Sequence, residues 1–182
     1  MTYSVVSTLH RRVLPFTLSL RLLSLTAGPS VAAILDVKAA RAVTNDVVAE
    51  QFAVTDLLEA TNSARLERGL PALRLDSQLM AAAARKVLDM REKGYWDHFR
   101  PSDNKAPWDF ITESGYRYTV AGENLARGFQ SVQGITKAWL ESPAHRANLL
   151  SDRYTDIGFA DAIITQPDGT RLPVTVQMFA SR

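Results

Sequence analysis

The chain has 182 residues, 46% apolar and 22% charged, a globular composition long enough to bury a core without covalent staples. It contains no cysteine, which excludes disulfide frameworks, thiol catalysis, zinc ribbons and iron–sulfur clusters. Net charge is +2, yet residues 43–182 hold 16 Lys+Arg against 18 Asp+Glu, so the basicity belongs to the first 42 residues and a nucleic-acid partner is set aside.

Residues 1–42 read as an N-terminal signal peptide or membrane anchor. Arg11 and Arg12 precede an apolar run, Arg21 interrupts it, and residues 22–35 are uncharged and largely apolar. Ala40-Arg41-Ala42 has the small-residue form of a cleavage site, with Ala32-Ala33 a weaker one. Arg21 inside a membrane span costs about 2.5–3.5 kcal/mol, which favours a basic region extending to Arg21 followed by cleavage. An uncleaved anchor and a leader with no targeting role are the alternatives. In the first two cases the body is extracellular or at the cell envelope, and touches a membrane only through an uncleaved segment. Residues 43–54 then serve as a linker to one domain over 55–182.

In that domain a first helix is predicted over residues 55–68, with Asp56-Leu57-Leu58-Glu59 at capping-box spacing and Gly69 and Pro71 closing it. Asp76 or Ser77 caps a second helix running to Lys93, with Leu79, Met80, Ala83, Val87 and Met90 as its apolar stripe and Gly94 after its end. Residues 95–104 are irregular and aromatic, and their rings are read as packing, with a ligand wall as the alternative. Pro107 starts a short helix over residues 108–114, and 116–126 is extended. Ser131 caps a helix that Pro143 ends near Glu141, and a new turn begins at Ala144 or His145. Residues 155–165 and 172–180 form an antiparallel hairpin around Gln166-Pro167-Asp168-Gly169. Helices early and strands late indicate an α+β fold or a helix–sheet–helix sandwich, not a doubly wound sheet.

Two body histidines, His98 and His145, and Glu123 in Gly122-Glu123-Asn124 are the candidate functional groups. Two imidazoles and a carboxylate suit a divalent ion or acid–base work, although no local metal motif has their spacing. The plain alternative is that each is a satisfied structural residue. No G-x-S-x-G, G-x-G-x-x-G or Walker loop occurs.

Five pieces in order carry a resemblance. They are Asn62-Ser63-Ala64-Arg65 with Gly69-Leu70-Pro71-Ala72-Leu73, then His98 with Pro101, then Gly122-Glu123-Asn124-Leu125-Ala126. Trp139-x-x-Ser142-Pro143-x-His145-Arg146-x-Asn148-Leu149-Leu150 and Tyr154-x-x-Ile157-Gly158 complete them. From residue 57 to 180 the chain resembles the CAP superfamily, in its bacterial SCP-like extracellular form without disulfides. The resemblance implies a three-layer α–β–α sandwich with a central antiparallel sheet. It also implies a cleft holding His98, Glu123 and His145, with Asn124 and Ser142 beside them. Ser142 stands where many relatives have a second glutamate, and Glu141 is one residue early.

Three functions follow as expectations. The first is a secreted, non-catalytic module binding a divalent metal or small ligand in that cleft. No cofactor is required, and Zn²⁺ on His98 and His145 is the metal such a site would take. The second is a metal-assisted, peptidase-like hydrolase using Glu123 with His98 and His145. The third is a cell-envelope interaction scaffold in which the cleft is purely structural and His98 simply hydrogen-bonds Glu123. The partner is accordingly a small ligand or a cell-envelope component.

Overall fold

The computed structural model describes residues 4–8, 51–165 and 168–182, the first group by backbone alone. Apart from that short piece, the leader read over residues 1–42 lies outside the described residues, as do Gln166 and Pro167 of the predicted turn. No helix among the described residues is long and apolar enough to cross a membrane.

Strand β1 (Ser4–Thr8) is followed by helix α1 (Val54–Leu66), whose Ala53 cap has no side-chain acceptor. The expected capping box therefore does not form. Asp56 lies within the first turn instead, where its charge faces the positive end of the helix dipole. After α1 the chain is held by two motif residues. Asn62 exchanges two bonds with the backbone of Leu73, at 3.0 and 2.8 Å. Arg65, fully buried, donates to Pro71 O at 2.9 Å.

Strand β2 (Arg74–Leu75) leads into helix α2 (Ser77–Lys93), and Asp76 caps it as expected, accepting from the amides of Gln78 and Leu79. Gly94 ends it in the left-handed region at φ 67°, a conformation that glycine adopts without a Cβ clash. Helix α3 (Pro107–Glu113) carries its proline at the first position, where no amide donor is needed. Strand β3 (Val120–Arg127) starts later than the extended stretch expected from residue 116. The reason is Tyr116, a buried ring whose hydroxyl donates to Asp156 at 2.7 Å.

Helix α4 (Val132–Glu141) is capped by Ser131, and helix α5 (Pro143–Leu149) follows after one residue. Pro143 lacks an amide proton, so it ends one helix and starts the next. Strands β4 (Asp156–Thr165) and β5 (Arg171–Ser181) form the predicted antiparallel pair.

Among the described residues the sheet has five strands in the order β1-β3-β5-β4-β2, antiparallel except where β2 meets β4. Alternate residues of a strand face opposite sides, and here they separate two helical layers. Gly158 of β4 lies under α2 so closely that a Cβ would collide with the backbone of Leu79 and Met80. Its neighbours Ile157 and Phe159 instead join a core with Leu57 of α1, Ile135 and Trp139 of α4, and Leu149 of α5. Each large apolar side chain buried there contributes about 1.5–3 kcal/mol. The three-layer α–β–α sandwich is thus the observed fold.

Candidate functional site: a buried histidine–glutamate pair

The loop after α2 carries His98, and its shape is imposed from the helix beneath. Lys86, on the buried face of α2, is fully shielded from solvent. Its ammonium donates to Asp97 O at 2.9 Å, to His98 O at 2.6 Å and to the Tyr95 hydroxyl at 3.3 Å. It also lies 4.9 Å from the centre of the Tyr95 ring, a cation–π distance. Burial pushes the Lys86 pKa down, while Glu123 and then Asp89 oppose that shift.

Asp89, one turn further along α2, takes bonds from Lys93 at 2.6 Å, Tyr95 at 2.7 Å and Arg100 at 2.8 Å. Burial works against its charge, yet these donors together hold its carboxyl below the usual range. Residues 95–100 are therefore tied to α2 at several points.

Glu123 comes from the middle of β3, opposite Met178 of β5. It is fully buried, and His98 is only 2% exposed. Nδ1 of His98 lies 2.6 Å from Oε1 of Glu123. With Glu123 as a carboxylate it can only accept, so the bridging proton sits on His98 Nδ1; in the neutral imidazole Nε2 is then an acceptor. Among the described residues neither His98 Nε2 nor Glu123 Oε2 has a hydrogen-bond partner. Buried acceptors without donors are costly, each by about 1–3 kcal/mol.

The opposite face of β3 bears a polar network. Asn124 Nδ2 donates to His145 O at 3.2 Å and to Gln177 Oε1 at 3.0 Å. Asn148 Nδ2 donates to Glu123 O and to Asn124 Oδ1, both at 3.0 Å. Gln177 passes the chain on to Thr61 of α1 at 3.1 Å. Arg65 secures the other end of α5, with Nη1 on Leu149 O at 2.9 Å and Ser151 O at 2.8 Å. These bonds fix where α5, and His145 on it, sits against β3.

The expected site residues are thus brought together unequally. His98 and Glu123 meet directly. His145 is fully buried on α5, and its carbonyl accepts from the side chain of Asn124, the residue after Glu123. Ser142 is the hinge between α4 and α5, its carbonyl accepting from Arg146 N at 2.8 Å, and it caps α5 without a side-chain bond. Glu141 is exposed, 3.8 Å from Lys137. Trp139 anchors α4 through Nε1 on Leu125 O at 3.2 Å, and Arg146 binds the helix carbonyl of Leu140 at 3.0 Å.

The pair does not open onto solvent as a cleft would. Surface clefts of about 400 and 380 Å³ lie elsewhere, one beside Arg100 and Lys105, the other beside Arg74 and Arg182. Sequence reasoning missed Lys86 and the structural role of Arg65. Both lie on the buried stripes of their helices, at positions that apolar periodicity assigns to the interior.

A three-layer sandwich with a buried His–Glu pair under an aromatic loop defines an SCP-like domain. The family model of CAP, the cysteine-rich secretory protein family, matches residues 58–179, and the chain belongs to that family. Its absence of cysteine makes it a form without disulfides. YkwD of Bacillus subtilis (strain 168) is 38% identical over 102 residues, 56% of this chain and 39% of that protein. The chain spans well under half the length of the curated relatives it matches. An extracellular protein containing an SCP domain from Bacillus anthracis (str. Ames) superposes with TM-score 0.60 at 26% identity, over 70% of this chain and 40% of that one. An outer surface protein of Borrelia burgdorferi shares the fold, with TM-score 0.58 at 22% identity, over 71% of this chain and 94% of that one.

Proposed function

We propose that the chain is an exported, non-catalytic binding domain whose ligand is recognised by His98 Nε2 and Glu123 Oε2. The observation that carries this reading is the pair of partnerless, buried acceptors on two side chains already locked together at 2.6 Å. A ligand supplying N–H or O–H donors would satisfy both atoms at once, and a buried site leaves such bonds unscreened by water. Asn124, bonded to His145 O and Gln177, fixes α5 against β3 without contacting the ligand. Export draws support from the extracellular SCP-domain relative and from the basic-then-apolar leader over residues 1–42.

A divalent ion fits these residues less well. Catalytic zinc sites use three protein ligands and structural ones four. Among the described residues, no group of three or more His, Cys, Asp or Glu side chains is arranged to hold a metal. Zn²⁺ on His98 and His145 is therefore an arm of the test and not the leading reading. The His98–Glu123 bond favours one second reading, since a carboxylate-oriented imidazole is half of an acid–base system for hydrolysis.

The test is a thermal-shift screen of amides, amines and polyols, with Zn²⁺ alone as a further arm, on wild type and His98→Ala/Glu123→Gln. Ligands that raise the melting temperature of the wild type only are expected. Identical shifts in both proteins, or none in either, would overturn the reading. Turnover of peptide or cell-wall substrates that disappears in the same variant would transfer the site to hydrolysis.

A further inference from the structure

Strand β3 carries Glu123 at its centre and has β5 along one edge only. The other edge is taken by the chain's own N-terminal strand. β1 runs antiparallel to it in the register Ser4 opposite Asn124, Val5 opposite Glu123, Val6 opposite Gly122 and Thr8 opposite Val120. β1 also packs against α5, the helix that carries His145. A backbone strand thus lies beside each of the two elements that deliver Glu123 and His145.

Residues 4–8 fall inside the segment whose sequence reads as a removable leader. If that segment is cut away, five residues of β3 lose their ladder partner, and the exposed amides and carbonyls of an edge strand are a template for another chain. We propose that the β3 edge from Val120 to Asn124 is a strand-acceptor groove for an extended peptide, which β1 fills in the uncut chain. This deepens the ligand-binding reading of the site and rests on it for the role of His98 and Glu123. An extended peptide is the ligand class that supplies N–H donors along a strand edge and leaves alternate side chains for a pocket. Within the uncut chain the tether holds β1 at an effective concentration near the millimolar range, so free peptide competes poorly.

The experiment uses the full chain with a protease recognition sequence inserted at the 42/43 junction, cut while folded and checked by its melting curve. The probe is a fluorescein-labelled peptide with the sequence of residues 2–9, followed by fluorescence polarisation. Saturable binding to the cut form is expected, with apparent affinity at least about tenfold weaker for the uncut form. Methylating the peptide amides one at a time should abolish and spare binding at alternate positions, since every second amide faces the partner strand. No binding to a cut form that still melts cooperatively, or binding indifferent to methylation, overturns the proposal.

A second arm covers a cut form that unfolds. Ser7→Cys/Ala121→Cys in this cysteine-free chain places two cysteines opposite each other in the register. Opposed strand residues have Cβ atoms close enough for a disulfide. Peptide uptake by the reduced protein and none by the oxidised protein supports the groove, and equal uptake overturns it. His98→Ala/Glu123→Gln separates the two readings. If that variant still takes the peptide with unchanged affinity and the same alternation, the groove stands and the pair is not its recognition site.

Discussion

The Lys86 ammonium is bound to the backbone of His98, 2.6 Å from its carbonyl oxygen, and not to the carboxylate of Glu123 whose charge it feels. One buried cation therefore sets the height of the imidazole over the sheet and lowers the cost of a buried glutamate beside it. The site is organised from α2 upward, by a residue that need never touch a ligand.

Replacing Lys86 with methionine keeps the stem length and removes the donor. The buried carbonyl of His98 and the part-buried carbonyl of Asp97 then lose their partner. The expected loss is about 2–4 kcal/mol of unfolding free energy, from orphaned acceptors at roughly 1–3 each. Urea unfolding measures it, and a loss below about half a kcal/mol, the scale of an ordinary surface substitution, would show that water replaces the ammonium.

The tautomer of His98 is a direct readout of the pair. The proton is expected on Nδ1, facing Glu123 Oε1. Two-bond ¹⁵N correlation spectra distinguish the ring nitrogens, and Glu123→Gln should redistribute the tautomers. A wild-type spectrum showing the Nε2-protonated form would contradict the assignment of Nε2 as the free acceptor.

Gly158→Ala places a methyl group against the backbone of Leu79 and Met80. Neither β4 nor the start of α2 can move cheaply, because Asp76 N is also bonded to Ile157 O at 3.0 Å. Overpacking of this kind costs about 1–3 kcal/mol, and α2 carries the Lys86 brace. The measurable signature is a lower melting temperature together with weakened protection of the loop around His98 in hydrogen exchange.

Asp156 contributes to the acid sensitivity. Burial opposes its charge, but bonds from Tyr116, Thr155 and Arg74 outweigh that and hold the carboxyl below its ordinary value. The unfolded chain then binds the proton more readily, so this stabilisation is complete above the unfolded carboxylate pKa of about 3.9. It is lost as pH falls through the lower folded value. Asp156→Asn should be less stable near neutrality and flatten the acid limb of stability against pH. Parallel curves for the two proteins would exclude Asp156 as a contributor.

Arg65→Lys retains charge but not the fork that reaches Pro71, Leu149 and Ser151. It is expected to destabilise by about 2 kcal/mol or more through unsatisfied carbonyls, and Arg65→Ala by no less. Chemical denaturation of both variants tests this. Full stability in the lysine form would mean that charge, and not geometry, holds α5.

What could be read in advance was what local chemistry dictates. Asp76 and Gly94 bracket α2, Pro143 divides α4 from α5, and alternation marks β4 and β5 as a pair. His98, Glu123 and His145 stood out because few residue types titrate or ligate. Two features were hidden for physical reasons. Lys86 looks like a solvated charge interrupting a stripe, and only the tertiary fit shows that the irregular loop offers it three oxygen acceptors. β1 lies in a stretch whose composition matches a leader, and its pairing with β3 spans more than a hundred residues. Helix α1 was legible, at 55–68 against the observed Val54–Leu66, but the capping box read from Asp56 to Glu59 did not form, because Ala53 at the cap has no side-chain acceptor.

Asn148 has one further meaning. Its amide reaches Glu123 O and Asn124 Oδ1, so a residue of the Trp139–Leu150 signature acts as a strut between α5 and β3. Much of what makes this chain recognisable as a family member is therefore scaffold, and scaffold is indifferent to the cargo it frames. A relative could exchange His98 and Glu123 for inert residues and still match the family at Asn62, Arg65, Asn148 and Trp139. Kinship read from those positions predicts a shape, and His98 Nε2 and Glu123 Oε2 must be inspected separately before kinship is taken as shared activity.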